Sequence, residues 1–440
     1  MANNQFLQLM MDAKPLGDVS FFGVDLHGFS YHPAWRSSGF ELTPAIPIDS
    51  PVDLAVVSRF FVNLLPESDA LDVAARFMAI SKLNLLAFLS CLGEDMPGAI
   101  ELRKPGSMKT PHTRIFTPLD LDDLEKRLDA KERDLAIWNG AVRLPVAGVQ
   151  DKINVMNHPA LGLGFANGVW ASTHILKFES PRTPCLAINE LATLALAEAV
   201  GLKVNKAEIV NIGQHRALLV ERFDRSFNVK LYQVDRRHVV DGCQLLDRDA
   251  SQKYERPFSH GKDTKNIRDG VSFRELFATR RWAKDPDQHT LSLLDWVVFN
   301  LLVGNSDCHA KNLSFFVDEK GIELTPFYDL VNIMLFDVDH AWAMGFGDEF
   351  LENGQLPGTY DLACFSHDCD LNGDLVSHRF ERQVCILKEK APGILEGFGD
   401  LPENERNHLS RYAERLESRL EHLQMHGAGI QQAIEDLILN

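Results

Sequence analysis

The residues whose types and spacing could do chemistry lie in GNSDCHAKNLSFF at 304–316 and LTPFYDL at 324–330. Asn312 comes five residues after Asp307, and Asp329 comes seventeen after Asn312. In phosphoryl transfer of the kinase type, a loop Asp accepts the proton of the attacking hydroxyl, while a later Asn and Asp hold Mg²⁺ against the nucleotide phosphates. The spacing predicts that chemistry. The same spacing would also result from an Asp that caps a helix followed by an Asn in a turn. Features elsewhere in the chain are therefore needed to distinguish the two interpretations.

Three upstream features add to this pattern. The stretch PVAGVQDK at 145–152 contains a small-residue turn whose backbone N–H groups could bind phosphate, although a plain hairpin turn is also possible. Lys177 lies in the apolar strand THILKF, where a lysine needs an anionic partner, either a phosphate or a buried acid. Glu190 could be that acid, or it could be an exposed helix carboxylate. These features follow the order that kinases have: the turn, the lysine, the glutamate, then Asp307 with its Asn and the final Asp.

The elements that must position these residues form three predicted ranges in a chain of 440 residues. Residues 1–105 mix strand alternation with a helical run, AARFMAISKLNLLAFLSCLG at 74–93, that ends at Gly93. Residues 106–240 are rich in strand patterns and contain a helix that stops at Gly201. Residues 241–440 are mainly helical. A β-rich half followed by an α-rich half predicts an α+β, bilobal fold with its ligand between the lobes.

Composition excludes several classes of protein. With 45 basic and 62 acidic residues, the net charge of −17 disfavours direct binding to nucleic acid or to an anionic membrane. The sequence contains no signal peptide and no apolar stretch of membrane-spanning length. Seven scattered cysteines indicate reduced, mostly buried thiols. We therefore expect a cytoplasmic protein without a membrane partner.

Several of these motifs together resemble the HipA family of bacterial serine/threonine kinase toxins. The similarity extends over essentially the whole chain and rests on GVQDK, THILKF, NE at 189–190, VERFDR at 220–225, QKYE at 252–255, SDCHAKN at 306–312, LTPFYD at 324–329 and, near the N-terminus, FSYHPAW at 29–35 and NLLPES at 63–68. It implies a protein-kinase-like fold with a β-rich N-lobe and an all-helical C-lobe, preceded by a small α+β subdomain.

The resemblance also implies a role for each matching residue. Asp307, Lys177, Asn312 and Asp329 would be catalytic, with Asn312 and Asp329 binding Mg²⁺. The ATP-binding residues would be the loop Ala147, Gly148, Val149, Gln150, Asp151 and Lys152, the hinge Glu221, Arg222 and Phe223, and Lys177, His309, Lys311, Asn312, Tyr328 and Asp329.

The resemblance implies partners as well. Substrates in this family are proteins, including an aminoacyl-tRNA synthetase, and a helix-turn-helix antitoxin similar to HipB neutralises the kinase. Contact with DNA is expected only through that antitoxin. Such a chain would be a toxin of a toxin–antitoxin module that halts growth and promotes persistence.

Two other functions remain open at this point. A small-molecule phosphotransferase of the aminoglycoside type uses the same catalytic logic, because the motif does not encode the substrate. The NLLPES-bearing domain argues against it. The second function is that of an inactive kinase core that serves as co-repressor of an antitoxin. Against it stand the intact Lys177, Asp307, Asn312 and Asp329.

One departure from the family pattern leads to a prediction. The family commonly has a serine directly before the V-x-G loop, and phosphorylation of that serine silences the enzyme. This chain has Pro145 there, which has no hydroxyl. We expect no self-silencing at this site and a greater dependence on the antitoxin. Phosphopeptide mapping after incubation with ATP should show no modification within residues 140–150; a phosphopeptide from that range contradicts the prediction.

Overall fold

The computed structural model describes residues 4–67, 69–93, 95–106, 113–130, 133–146, 150–258, 264, 266–347, 350–352 and 354–439. The chain divides into two compact units that are not continuous in sequence. The first unit comprises residues 1–179, 206–250 and 315–322, and the second comprises 180–205, 251–314 and 323–440. The first two predicted ranges therefore share one unit, except that 180–205 joins the second.

The described secondary structure is as follows. The strands are β1 (Asn4–Met11), β2 (Lys14–Phe22), β3 (Asp25–Tyr31), β4 (Ile100–Arg103), β5 (Arg114–Pro118), β6 (Ile137–Trp138), β7 (Ala141–Val142), β8 (Lys152–His158), β9 (Gly162–Gly168), β10 (His174–Phe178), β11 (Ala207–Ile212), β12 (His215–Glu221), β13 (Arg225–Asn228), β14 (Gln233–Arg236), β15 (Val239–Asp241), β16 (Ser314–Asp318) and β17 (Gly321–Leu324). The α-helices are α1 (Pro33–Ser38), α2 (Leu54–Val62), α3 (Asp69–Met78), α4 (Leu85–Leu92), α5 (Leu121–Asp129), α6 (Leu186–Ala199), α7 (Gly242–Leu245), α8 (Phe273–Ala278), α9 (Pro286–Val303), α10 (Thr359–Asp368), α11 (Gly373–Glu396), α12 (Glu403–His426) and α13 (Ile430–Leu439). Short 3₁₀ turns span Ala250–Gln252, Thr279–Trp282, Ala310–Asn312 and Ile333–Leu335.

The first unit is built on two main sheets. A four-stranded sheet has the order β3-β2-β1-β4, and a six-stranded sheet has the order β11-β12-β10-β8-β9-β5. Neighbouring strands in both sheets run antiparallel. The alternating apolar residues predicted as strands supply the buried face; Ile153, Val155, Leu176 and Phe178 of the central strands lie in one hydrophobic cluster.

The helical run predicted over residues 74–93 is interrupted. Helix α3 ends at Met78 and α4 begins at Leu85. Ala79 has a φ of 52°, which lies outside the helical region, and the Asn84 side chain accepts a hydrogen bond from the Ala87 N–H and so caps a new helix. The predicted stop at Gly93 is confirmed, as is the stop of α6 before Gly201.

A buried charge network joins the hinge sequence to the loop before β4. The Asp224 carboxylate accepts hydrogen bonds from the Arg222 and Arg225 guanidiniums and, at 2.8 Å, from the Gly98 N–H. Arg225 also donates to the carbonyls of Met96, at 2.5 Å, and Gly98, at 2.7 Å. Burial opposes ionisation of Asp224, but the two guanidiniums outweigh it and lower the pKa of this carboxyl well below its usual range. The network therefore fixes residues 96–98 against residues 222–225.

The second unit is mainly helical. Helix α9 ends at Gly304, whose left-handed φ of 80° turns the chain into the segment with Asp307. A Cβ at Gly304 would lie 3.0 Å from the Met334 side chain and 3.1 Å from that of Asn332, so the turn is also tightly packed. Within the described residues, no helix is long and apolar enough to cross a membrane.

The family resemblance implies an all-helical C-lobe, and within residues 241–440 this expectation is wrong. Strands β16 and β17 lie in that range and pair with β15 in a sheet of order β15-β16-β17. Phe315 and Phe316 of β16 are buried, and Gly321, with a φ of 115°, begins β17 directly after the turn. A short run of apolar residues beside a turn glycine favours a hairpin over a helix at this point.

The charge network leads to a stability prediction. Asp224→Ala leaves two adjacent guanidiniums buried without their shared carboxylate, so it should lower the free energy of unfolding by about 3–5 kcal/mol. Asp18→Ala, at an exposed strand position, is the matched control and should change it by less than about 0.5 kcal/mol. Urea unfolding followed by circular dichroism measures both. Equal urea midpoints for the two variants would show that the charge network contributes nothing to the free energy of unfolding.

Candidate functional site

Asp307 lies in a loop whose neighbouring residues are buried. Ser306 and Cys308 are each 1% exposed, whereas Asp307 is only half-buried. Its backbone carbonyl accepts hydrogen bonds from the Asn312 side-chain nitrogen and from the His309 N–H, both at 2.9 Å. The structure therefore brings Asp307 and Asn312 together, and their spacing of five residues closes a tight loop that holds the Asp307 backbone.

Asn305 connects this loop to Asp329. Its side-chain nitrogen donates to the Asn300 side-chain oxygen at 2.7 Å and to the Asp329 carbonyl at 3.3 Å. Asp329 has a φ of 50°, a strained conformation for a residue with a side chain. Non-glycine residues persist in such conformations where the surroundings hold them, often at functional sites. Asp329 and the loop thus belong to one hydrogen-bonded segment of the second unit.

Tyr328 fastens the far end of the same loop. Its hydroxyl donates to the Lys311 carbonyl at 2.8 Å and lies 2.7 Å from the Ser314 hydroxyl. Lys311 and His309 are each 7% exposed. The predicted residues His309, Lys311 and Tyr328 are therefore close to Asp307 and Asn312 along one buried turn, and the Tyr328 hydroxyl is used in holding that turn.

Cys308 is a packing residue. Its side chain is buried, and burial raises the pKa of its thiol well above the usual range. The reactive form of cysteine is the thiolate, which such a pKa suppresses. Its position beside Asp307 therefore does not indicate cysteine chemistry.

Two residues of this segment were missed by the sequence analysis. Asn305 was not assigned a role, and Tyr254 was seen only as part of the QKYE motif. The Tyr254 hydroxyl donates to the Asp307 carboxylate, with 2.8 Å between the Tyr254 oxygen and Oδ1. In the sequence, the QKYE motif is the only signal for Tyr254, because Tyr254 and Asp307 lie 53 positions apart.

Lys152 and Lys177 lie directly opposite each other on neighbouring strands of the first unit, β8 and β10. Each is 5% exposed. Directly opposed like charges destabilise a sheet, and burying a charge is costly unless it is compensated. Two buried lysine side chains therefore lie side by side on this ladder, and the predicted binding of phosphate by Lys177 stays a prediction.

The predicted nucleotide loop is partly described. Ala147, Gly148 and Val149 lie outside the described residues. The Gln150 side chain donates to the Phe178 carbonyl at 3.1 Å, and the Asp151 carboxylate accepts from Arg133 at 3.1 Å. These two loop residues therefore fasten the start of β8, and both side chains contact protein groups.

The predicted hinge residues have different surroundings. The Glu221 side chain is 46% exposed, and the Phe223 ring packs edge-on against Phe316 at a centroid distance of 6.0 Å. The Arg222 guanidinium lies in the buried network with Asp224, and its backbone N–H donates to the Thr173 carbonyl at 2.9 Å. The side chain of Arg222 thus has a structural contact within the protein, and its assignment as an ATP-binding residue stays a prediction.

The predicted pairing of Lys177 with Glu190 also stays a prediction. Lys177 belongs to the first unit, and Glu190 lies on α6 of the second. Glu190 is 2% exposed, so the alternative of an exposed helix carboxylate is wrong.

The second-unit segment fits a hard divalent cation that is bound largely by nucleotide and water. Among the described residues, no group of three or more His, Cys, Asp or Glu side chains could hold a metal ion by itself. Asn312 commits its amide nitrogen to the Asp307 carbonyl, which leaves the oxygen as the atom for a cation. Mg²⁺ typically takes one or two protein oxygens and keeps its other positions for phosphates and water. Asn312 and Asp329 match that donor set.

Comparison with known proteins identifies the family. The HipA N-terminal domain family matches residues 7–103, and the HipA-like C-terminal domain family matches residues 144–391. The serine/threonine-protein kinase toxin HipA of Shewanella oneidensis is 37% identical over 418 residues, which cover 94% of this chain and 95% of that protein. This chain belongs to the HipA family. A solved structure of the Shewanella oneidensis HipA, HipB and operator DNA complex matches with a TM-score of 0.88 and 35% identity, covering 97% of this chain and 99% of that one.

Membership of the HipA family has direct consequences. The chain is a HipA-type kinase toxin of a toxin–antitoxin system. Kinases of this kind use ATP with a divalent metal ion.

Proposed function

We propose that Asp307 accepts the proton of a serine or threonine hydroxyl of a protein while that oxygen attacks the γ-phosphorus of ATP. The new O–P bond forms as the bond between the γ-phosphorus and the β–γ bridging oxygen breaks, and ADP leaves. The observation that carries this proposal is the half-buried Asp307 carboxylate on a loop whose backbone is held by Asn312 and His309. Such transfer needs positioning and charge neutralisation rather than covalent chemistry from the protein.

Buried lysines would bind the phosphates. Lys152 and Lys177 form a paired positive charge on adjacent strands, and Lys311 lies in the loop with Asp307. In a chain of net charge −17, a tetra-anionic nucleotide requires such local positive charge. The loop Ala147–Lys152 would contribute backbone N–H groups, as the family resemblance implies.

The other assignments follow the family pattern. Asn312 and Asp329 would hold Mg²⁺, which when bound neutralises charge on the phosphate oxygens. Glu221 and Phe223 would lie near the adenine, with Arg222 supporting them through its contact with Asp224. The strand-rich first unit and the helical second unit would be the two lobes of a kinase-like fold.

The proposed partners follow from the complex in which the Shewanella HipA was solved. That protein was seen with HipB and its operator DNA. We propose that this chain likewise binds a helix-turn-helix, HipB-like antitoxin and reaches DNA only through it, because the acidic chain repels phosphate backbones. The protein substrate would be a cytoplasmic enzyme such as an aminoacyl-tRNA synthetase.

Substitution of Asp307 tests the assignment of the proton acceptor. Asp307→Gln should reduce transfer of ³²P from γ-labelled ATP to protein substrate by at least about a hundredfold and abolish growth arrest on induction, because the general base is lost. The unfolding midpoint should remain that of the wild type.

The matched control is Cys308→Ala, which alters the adjacent buried residue without touching the proposed chemistry. It should keep transfer within about threefold of the wild type. Full transfer by Asp307→Gln would overturn the assignment of the base.

A further inference from the structure

We propose that Tyr254 is a positioning residue for Asp307: its hydroxyl holds one carboxylate oxygen so that the other faces the substrate hydroxyl. This inference rests on the proposed function, in which Asp307 is the proton acceptor.

The contact itself is direct. The Tyr254 hydroxyl donates to Asp307 Oδ1 at 2.8 Å, the usual length for a hydrogen bond from a hydroxyl to a carboxylate. The Tyr254 ring also meets the His309 ring edge-to-face at a centroid distance of 5.1 Å. One tyrosine therefore contacts both the proposed base and a second residue of the same loop.

Tyr254 belongs to a segment that is bound to two parts of the site. The Ala310 N–H donates to the Lys253 carbonyl at 3.1 Å, which ties the segment to the loop. The Glu255 N–H donates to the Ala343 carbonyl at 2.9 Å, and the Ala343 N–H donates to the Ser306 carbonyl at 2.9 Å. Residues 253–255 thus hold the chain on both sides of Asp307 and connect it to the segment that follows Asp329.

Gly270 supports this segment from the other side. Its N–H donates to the Glu255 carbonyl at 3.1 Å, and the next residue, Val271, donates to the Gln252 carbonyl at 2.9 Å. A Cβ at Gly270 would lie 1.7 Å from the Tyr254 carbonyl oxygen, so a larger residue there must displace the Tyr254 backbone. The position of the Tyr254 backbone therefore depends on Gly270, which packs against the Tyr254 carbonyl and donates to the neighbouring Glu255 carbonyl.

The arrangement has a physical purpose in a kinase. A carboxylate can rotate about its terminal torsion, and a base is effective only when its free oxygen lies within hydrogen-bond reach of the hydroxyl. A hydrogen bond to Oδ1 removes that freedom before the substrate binds. Loss of it should therefore lower the rate of the chemical step more than the binding of ATP.

Steady-state kinetics of five full-length variants, four single and one double, test the proposal. Tyr254→Phe removes only the hydroxyl and should lower kcat by about tenfold or more, with the KM for ATP within about twofold of the wild type. Asp307→Gln, measured beside it, tests the underlying proposed function. Tyr412→Phe is the matched control, because it removes a tyrosine hydroxyl bonded at 2.9 Å to Thr193 elsewhere in the second unit; its kcat should match the wild type.

Gly270→Ala is the independent second variant. By displacing Tyr254 it should also lower kcat, and the double variant Tyr254→Phe/Gly270→Ala should be little slower than Tyr254→Phe alone, because both act through one contact. If the two losses in kcat multiply in the double variant, Gly270 acts through a contact other than Tyr254. That result would contradict the proposal that Gly270 acts by positioning Tyr254.

The outcomes separate the two proposals. If Asp307→Gln is inactive and Tyr254→Phe has a wild-type kcat, the positioning role is overturned while the proposed function stands. If Tyr254→Phe raises the KM for ATP at an unchanged kcat, Tyr254 serves nucleotide binding instead, and the inference is again overturned. If Asp307→Gln is active, the base assignment fails and the inference fails with it.

Discussion

The proposed catalytic segment depends on how α9 ends. Gly304 takes a left-handed conformation in a tightly packed space, and it turns the chain so that Asn305 reaches back to Asn300. The same Asn305 amide then contacts the carbonyl of Asp329, 24 residues later. One glycine turn and one buried amide therefore set the relative positions of the loop with Asp307 and the strained Asp329.

Each of the two units buries charged residues at specific places. The chain is acidic overall, yet Lys152 and Lys177 lie opposed on one ladder and Lys311 lies in the buried loop. In the first unit, the two guanidiniums bound by Asp224 serve packing between the hinge sequence and residues 96–98. Asp224 compensates the two guanidiniums within the first unit. Binding of phosphate by the buried lysines is part of the proposed function.

Much of the fold could be predicted because its signals are local. The stops at Gly93 and Gly201 and the short spacing from Asp307 to Asn312 are properties of neighbouring residues. The break between α3 and α4 was missed, because a capping Asn and a residue with positive φ interrupt an apolar pattern that itself continues. Strand β16 was missed because its apolar run alone does not distinguish a strand from a helix, and only the turn glycine Gly321 beside it favours a hairpin.

The roles of Tyr254, Asn305 and Arg222 could not be predicted, because they are set by partners brought close only by folding. Tyr254 and Asp307 are 53 residues apart, and Arg222 reaches a loop more than a hundred residues earlier, at Met96. The family resemblance places Arg222 among the ATP-binding residues, whereas the fold uses its guanidinium in a buried network.

The most direct measurement of the central claim, that this segment forms the metal-binding side of a kinase site, is the Mg²⁺ dependence of nucleotide binding. Calorimetric titration with a non-hydrolysable ATP analogue should show that Mg²⁺ raises the affinity of the wild type by about tenfold or more. Asp329→Asn should lose this increase in affinity while it keeps the affinity measured without metal. An undiminished Mg²⁺ effect in Asp329→Asn would contradict the account.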